Sequence, residues 1–175
     1  MGLNNNTSDN DTNSLNSESQ PPLNLPPVNL RLKREGELIK VYDSLRCKYV
    51  TLTPEEYVRQ HFVHYLNTSL HYPLSIMANE VGVELNGTKK RCDTVIFNLE
   101  GKPDVIVEYK APGVQITQDV FDQIVRYNMI LRARYLIVSN GMNHYCCRID
   151  YNKNNYYFIK SIPDYSEVIN PSLPN

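Results

Sequence analysis

The chain of 175 residues lacks the features of a secreted, membrane-spanning or zinc-binding protein. No cationic segment followed by an apolar one opens the sequence, and no apolar run approaches the ~20 residues that cross a bilayer. The four cysteines (Cys47, Cys92, Cys146 and Cys147) contain no Cys-x-x-Cys pair, so they lack metal-ligand spacing. Cys146 and Cys147 would point to opposite faces of a strand, which favours reduced thiols of the core type. We therefore expect a soluble, cytoplasmic protein with no membrane partner.

Basic residues are absent from the first 30 positions, where Asn, Ser and Pro predominate. Few of these side chains can pack, so we expect residues 1–30 to form a disordered or loosely attached arm. The arm holds three of the 19 acidic residues, which leaves 18 basic and 16 acidic residues, or about +2, in the remainder. At that balance any site for a polyanion must be a local patch. We expect one domain over residues 31–165 and a C-terminal tail over residues 166–175.

The hydrophobic patterns predict an α/β domain. The stretches ELIKVYD and RCKYVTL flank a short turn and predict an N-terminal β-hairpin. Thr53 as N-cap, with Pro54 after it, indicates the start of a helix that runs to about Leu70. Further on, the patterns predict a strand at 80–85, a hairpin at 93–109, a helix at 117–131, a strand at 135–139 and two more strands from HYCCRI and YYFIK. The result is a mixed β-sheet flanked by helices, with a βαβ unit at its centre.

The stretch PDVIVEYKAPG ends an apolar strand in two charged residues, Glu108 and Lys110. A two-residue turn at Glu100 and Gly101 would place Asp93 opposite Glu108, on the face that Lys110 and Arg91 share. Opposed carboxylates repel each other unless a divalent cation lies between them, so the pattern indicates a Mg²⁺ site that Mn²⁺ would also fill. Two alternatives stay open. The first is a three-residue turn, which would place Tyr109 opposite Asp93. The second is that Arg91, Asp93, Glu108 and Lys110 form a surface network of charges without a function.

The predicted helix after this strand carries Gln123 and Tyr127 four residues apart, on one face. Its early turns can reach back over the sheet edge, where a Gln can hold a phosphate or a base and a Tyr can order the lysine. The alternative interpretation is that Tyr127 is an aromatic residue of the core and that Gln123 is a solvated polar residue, neither with a role in a site.

Several other side chains are candidates with a plain structural alternative. Glu80 precedes a strand and is a candidate third acidic ligand or a surface acid, and Glu56 is either a ligand or part of a capping box with Thr53. Lys89, Lys90 and Arg91 make the best local phosphate patch, with a solvated loop as the alternative. His61, His64 and His71 do not have the spacing of a zinc site.

The ordered set Asp93, Glu108-Tyr109-Lys110 and Gln123-to-Tyr127 resembles the D…ExK…QxxxY pattern of the PD-(D/E)XK nuclease superfamily. The stretches LTPEEYVRQHFVHYL, KKRCDTVIF, VEYKAPGVQITQDVFDQIVRYN and YLIVSNG resemble more narrowly the N-terminal nuclease domain of type I restriction enzyme R proteins, over about residues 37–150.

The resemblance implies a restriction-endonuclease-like fold and Mg²⁺-dependent hydrolysis of DNA in restriction or processing. It implies that Asp93 and Glu108 ligate the metal, with the Tyr109 carbonyl as a further ligand. It also implies that Lys110 positions the attacking water and that Gln123 and Tyr127 support the site or contact DNA.

One departure from the family concerns the motor. The R proteins carry a helicase motor after this domain, and this chain has no G-x-x-x-x-G-K-[ST] motif. Coupling to translocation is therefore not carried over, and a motor or specificity protein is an expected partner beside DNA, with a homodimer as a further option. The alternative function is a module that keeps the fold and binds nucleic acid or a protein partner without cutting.

Overall fold

The computed structural model describes residues 20–85 and 87–170. The elements follow in the order β1 (Leu32–Glu35), β2 (Leu38–Asp43), β3 (Lys48–Thr51), α1 (Pro54–Thr68), a 3₁₀ turn (Leu74–Ile76), β4 (Met77–Leu85), β5 (Thr88–Phe97), β6 (Pro103–Tyr109), α2 (Gln118–Leu131), β7 (Tyr135–Ser139), β8 (His144–Asp150), β9 (Asn155–Ile159) and α3 (Tyr165–Ile169). No helix among these described elements is long and apolar enough to cross a membrane.

A six-stranded mixed sheet forms the centre of the domain, in the order β4-β5-β6-β7-β8-β9. Only β6 and β7 are parallel, because α2 connects them, and all other neighbours are antiparallel. Helix α1 packs Phe62 and Leu66 against one face of the sheet, and α2 packs Phe121 and Ile124 against the other. Both faces of β6 and β7 are therefore covered, which explains their continuous apolar sequences. The predicted α/β class and mixed sheet flanked by helices are confirmed.

The N-terminal sheet has three strands rather than the two of the predicted hairpin. Strands β2 and β3 are that hairpin, and β1 adds to the other edge of β2. The missed strand is short and rich in charge, LKRE, and only Leu32 of its four residues is buried. A strand with one buried side chain gives little alternation from which to predict it.

The adjacent cysteines separate onto opposite faces of the sheet, as their positions in the sequence predict. Cys146 belongs to the core beneath α1, and Cys147 belongs to the core beneath α2. Cys92 is also buried, whereas Cys47 is exposed and is not a core residue.

The β5–β6 hairpin has the predicted register with a different turn. The turn contains Leu99, Glu100 and Gly101, because the Asn98 N–H donates to the Lys102 carbonyl at 2.8 Å. Such a turn alone would shift the pairing by one residue, but a bulge between Ile96 and Phe97 shifts it back. Thr94 consequently lies opposite Val107, as the two-residue turn predicts.

The two ends of the chain pack more closely than a loose arm and a tail would. Residues 1–19 and 171–175, which belong to those predicted segments, lie outside the described residues. Residues 20–30 form no helix or strand, yet Leu23 and Leu25 pack against the core and Leu30 is buried. Within the predicted tail, α3 buries Val168 beneath the sheet. The apolar residues among the prolines explain the attachment, because each buries surface at little entropic cost.

Candidate metal-dependent active site

The side chain of Asp93 lies where the β5–β6 ladder ends. The ladder is regular to Thr94 and Val107, and beyond it the Tyr109 N–H donates to Oδ2 of Asp93 at 2.8 Å. The other carboxylate oxygen, Oδ1, accepts a hydrogen bond of 2.8 Å from Nη2 of Arg59 in α1. Asp93 is thus fixed from two sides at the point where the strands separate.

Glu108 lies one residue before the end of β6 and is buried on the α2 side of the sheet. Its Oε1 accepts hydrogen bonds from Nζ of Lys110 at 3.0 Å and from Nε2 of Gln123 at 2.5 Å. The same Gln123 amide group lies 3.2 Å from the hydroxyl oxygen of Tyr127, which accepts from it. The structure therefore brings together Glu108, Lys110, Gln123 and Tyr127 in one chain of hydrogen bonds.

The two carboxylates, Asp93 and Glu108, oppose each other's ionisation. The pKa of Glu108 is raised to about 7, first by burial and then by the charge of Asp93, against the hydrogen bond from Lys110. Burial also raises the pKa of Asp93, although the charge of Arg59 and the Tyr109 N–H act in the opposite direction. Buried acids that hinder each other's ionisation are the arrangement that a divalent cation relieves.

This electrostatic conflict predicts that replacing Glu108 by glutamine stabilises the metal-free protein at alkaline pH. Glu108 ionises near 4.5 when unfolded and near 7 when folded, so the folded protein holds the proton more tightly. The stability that this proton contributes is complete below pH 4.5 and is lost as the pH rises through about 7. We expect the free energy of unfolding of Glu108→Gln to exceed that of wild type by roughly 3 kcal/mol at about pH 8. Urea denaturation at both pH extremes, with the exposed Glu84→Gln as control, checks this, and equal stability at pH 8 would contradict it.

A third acid, Glu55 in the first turn of α1, lies near the pair without having been a candidate from the sequence. Glu55 is half-buried, its pKa is raised by burial and then by the charge of Asp93, and it raises the pKa of Glu108 in turn. Glu55 and Arg59 are four residues apart, and both face the sheet where Asp93 lies. The helical spacing is visible in the sequence, but which of the adjacent acids, Glu55 or Glu56, lies near Glu108 depends on how α1 is rotated against the sheet.

Glu56 lies in a buried ion network rather than in a capping box, and its role as a metal ligand stays a prediction. Thr53 does cap the helix, because its hydroxyl oxygen accepts from the Glu56 N–H at 3.1 Å. The Glu56 carboxylate instead accepts from Arg46 and Arg59, each at 2.7 Å, and from Gln60 at 2.8 Å. These bonds leave the backbone N–H of Thr53 to bind the carbonyl of Thr51.

Glu80 lies in β4 next to the same network. Its ladder neighbours pair with Thr94 and Cys92, so it lies level with Asp93 on the adjacent strand. Its backbone has φ +58, a left-handed conformation that is uncommon for a residue with a side chain. Its carboxylate lies 2.9 Å from Nη1 of Arg59 and 3.6 Å from Nη1 of Arg91. A role for Glu80 as metal ligand stays a prediction.

The predicted phosphate patch lies on β5, toward the β4–β5 turn. Lys89, Lys90 and Arg91 are all exposed there, opposite Glu84, Val83 and Gly82 of β4. Arg91 precedes Asp93 by two residues, so the patch leads directly into the acidic pair.

The side chain of Tyr109 lies on the α1 side of the sheet, on the opposite face from Glu108. Its hydroxyl donates to Oγ1 of Thr94 at 3.1 Å, and its ring packs edge-on against Phe62. Only its backbone can contribute to the site, as the expected carbonyl ligand would.

The donor set fits a hard divalent cation of the Mg²⁺ type. Mg²⁺ keeps several waters and needs only one or two carboxylates beside phosphate oxygens. The buried Glu108 and the partly buried Asp93 supply them, with the half-buried Glu55 nearby. Within residues 20–85 and 87–170 no group of three His, Cys, Asp or Glu side chains is arranged to hold a metal alone. The three histidines are likewise dispersed, with His61 bound to the Tyr57 carbonyl and His71 to Asp164.

Comparison with known proteins identifies a family, and the similar solved structures include the two described here. A family model described as "Type I restriction enzyme R protein N terminus (HSDR_N)" matches residues 54–163, which is more than half of the chain. A fragment of a candidate HsdR subunit of a type I restriction enzyme from Vibrio vulnificus YJ016 is similar at 16% identity and a TM-score of 0.50, over 68% of this chain and 25% of that one. A candidate nuclease of the DUF820 group from Anabaena variabilis is similar at 14% identity and a TM-score of 0.44, over 79% of this chain and 88% of that one.

The structural likeness concerns the fold alone. The chain spans a quarter of the length of the Vibrio protein, so it corresponds to one part of it. No curated protein matches the chain.

Proposed function

The chain belongs to the family of type I restriction enzyme R protein N-terminal domains, and on that premise we propose that it is a metal-dependent DNA endonuclease. The observation that carries the proposal is the buried Glu108 beside the partly buried Asp93, with Nζ of Lys110 at 3.0 Å from Glu108. Asp93 already has Arg59 as a partner, but the pKa of Glu108 stays raised to about 7 despite Lys110, and a bound cation would supply the positive charge that favours its ionised form. The expected partner is DNA, with a motor or specificity protein as a second one.

The acidic side chains would hold the cation. Asp93 and Glu108 each keep carboxylate lone pairs that the described hydrogen bonds leave free, and the Tyr109 carbonyl and Glu55 or Glu80 are the further candidates. Bound Mg²⁺, or Mn²⁺ in its place, would neutralise phosphate charge and lower the pKa of a water that attacks phosphorus.

Lys110 would act as a hydrogen-bond donor rather than as a base. Burial lowers its pKa, but the hydrogen bond and charge of Glu108 raise it more, so the net shift is upward. The side chain is therefore an ammonium ion at neutral pH. It can orient the attacking water and stabilise the negative charge that develops on the phosphate oxygens.

Gln123 and Tyr127 would hold the acid rather than react. Gln123 donates to the Glu108 carboxylate at 2.5 Å, and Tyr127 accepts from Gln123 at 3.2 Å, so α2 fixes the rotamer of Glu108. Lys89, Lys90 and Arg91 would bind the phosphates of the DNA strand that leads into the site.

Cleavage of supercoiled plasmid tests the function. We expect the purified protein to nick it in Mg²⁺ or Mn²⁺, to stop on addition of EDTA, and to lose activity as Asp93→Asn, because the replacement removes a charged ligand of the same shape. Cleavage that persists in EDTA or in Asp93→Asn would overturn the proposal, and Glu84→Gln is the control for an exposed acid.

A further inference from the structure

Strand β9 forms one edge of the six-stranded sheet, and none of the described residues pairs with its outer side. Its sequence, NYYFI, contains no charge and no proline, and its first four residues are exposed. Proteins commonly protect such an edge with a lysine, a proline, a bulge or a very short strand, because unpaired backbone groups recruit another strand. Strand β9 contains no lysine, no proline and no bulge.

The opposite edge of the sheet is protected. Strand β4 carries Glu80 in a left-handed conformation at its middle and Glu84 near its end. The left-handed Glu80 interrupts the extended backbone, and the charges of Glu80 and Glu84 disfavour the approach of another strand. Strand β4 is therefore a poor template for pairing. The contrast between the two edges singles out β9.

The direction of the free backbone groups on β9 follows from the hydrogen bonds of β8. The Ile149 N–H donates to the Arg134 carbonyl at 2.8 Å, so Ile149 directs its backbone groups toward β7. Alternation along β8 then directs Arg148 toward β9, where it pairs with Tyr157. The backbone N–H and C=O groups of Tyr156 and Phe158 consequently point outward from the sheet, where the Tyr156 N–H donates to Oδ1 of Asn155 at 2.8 Å, a bond that pairing with another strand would replace.

Apolar side chains surround this edge on the α2 side of the sheet. Phe158 is 54% exposed, although its ring meets Phe121 of α2 at a centroid distance of 5.1 Å. The ring centroid of Tyr156 lies 6.0 Å from that of Phe158, and the ring centroid of Tyr145 in β8 lies 6.0 Å from that of Phe121. An exposed aromatic surface of this kind, continuous with an open strand, is typical of a contact surface.

We propose that β9 is a homodimer interface, in which it pairs antiparallel with β9 of a second copy about a two-fold axis at Tyr157. In this register each Tyr156 lies opposite Phe158 of the second copy, and the outward N–H and C=O groups of both residues are satisfied. The two six-stranded sheets become one continuous sheet, with α2 of both copies on the same face. The aromatic rings of both copies then form cross-strand pairs, each worth about 0.2–1 kcal/mol.

The occupant is a second copy because β9 is complementary to itself. The strand is neutral, so two copies meet without like charges within it. The flanking Lys160 lies opposite Asn154 of the second copy in this register, and Lys153 lies opposite Ser161, so no two lysines face each other. Tyr157 meets its own equivalent at a position without backbone hydrogen bonds, where side chains come closest.

The test is the mass of the full chain in solution at micromolar concentrations, by sedimentation equilibrium. We expect twice the 20.2 kDa of one chain for wild type, and a monomer for Phe158→Lys, which places a charge opposite Tyr156 of the second copy. Tyr156→Pro, which removes an outward N–H and its exposed bond to the Asn155 side chain but no bond to β8, is expected to be monomeric too.

Tyr145→Lys is the matched control, since it removes a similarly exposed ring from the same face but from an interior strand. We expect it to remain a dimer. A monomeric wild type, a dimeric Phe158→Lys, or dissociation by Tyr145→Lys as well would overturn the proposal. This test does not measure plasmid cleavage, so its result bears on the proposed interface independently of the proposed nuclease activity.

Discussion

Replacement of Lys110 by methionine is expected to lower the rate of metal-dependent plasmid nicking by about 10²- to 10³-fold. The ammonium group lies 3.0 Å from Oε1 of Glu108 and is only partly exposed, so it is held where a donor can reach a water beside the metal. Methionine keeps the length and most of the packing of the side chain and removes only the charge. The fold should persist, because the pKa of Glu108 is already raised to about 7, so its carboxylate can take up a proton when the ammonium group is removed.

The control for Lys110→Met is Lys102→Met. Lys102 also pairs with a glutamate of the same hairpin, Glu100 at 2.8 Å, but it is fully exposed at the turn. Single-turnover nicking rates of both variants, measured at saturating metal, separate the role of position from that of charge. A Lys110→Met rate within about threefold of wild type would show that the lysine has no part in the reaction.

Replacement of Arg59 by methionine is expected to lower the free energy of unfolding by about 3–5 kcal/mol, the largest stability effect that a single charge should have here. The Arg59 guanidinium is 4% exposed and lies within 2.9 Å of the carboxylates of Glu56, Glu80 and Asp93. Its removal leaves these acids without their common partner. The pKa of Arg59 is raised, since its three acids outweigh the effect of burial, so it remains a cation at every accessible pH.

Urea denaturation of Arg59→Met, beside Arg91→Met, measures this effect. Arg91 contacts the same Glu80 but is 73% exposed, so its loss should cost less than about 1 kcal/mol. The destabilisation of Arg59→Met should shrink at low pH, where the orphaned acids become protonated. If the two variants lost the same free energy of unfolding at neutral pH, the result would contradict the role assigned to Arg59.

The sequence sufficed to predict the register of the hairpin that carries the acidic pair, and the physical reason is local pairing. Asp93 and Glu108 belong to one hairpin, so a single register relates them. That register is correct although the predicted turn is wrong, because a bulge at Ile96 and Phe97 compensates for the longer turn. A bulge has no sequence signal as plain as a glycine turn, so its correction of the register could not be foreseen.

The parts of the site that depend on several segments were not predictable. Arg59 joins α1 to β4 and β5, and Arg46 joins the N-terminal sheet to the same network through Glu56. A buried arginine in a helix has no distinguishing pattern, since its partners are distant in sequence. Glu55 was missed for the same reason, because its direction depends on how α1 rotates against the sheet.

Calorimetric titration with Mn²⁺ tests the central claim most directly, namely that Asp93 and Glu108 together form a cation site. The account predicts saturable binding by wild type and by Lys110→Met, and loss of binding by Asp93→Asn, all without DNA. Absence of binding by wild type, or undiminished binding by Asp93→Asn, would contradict it.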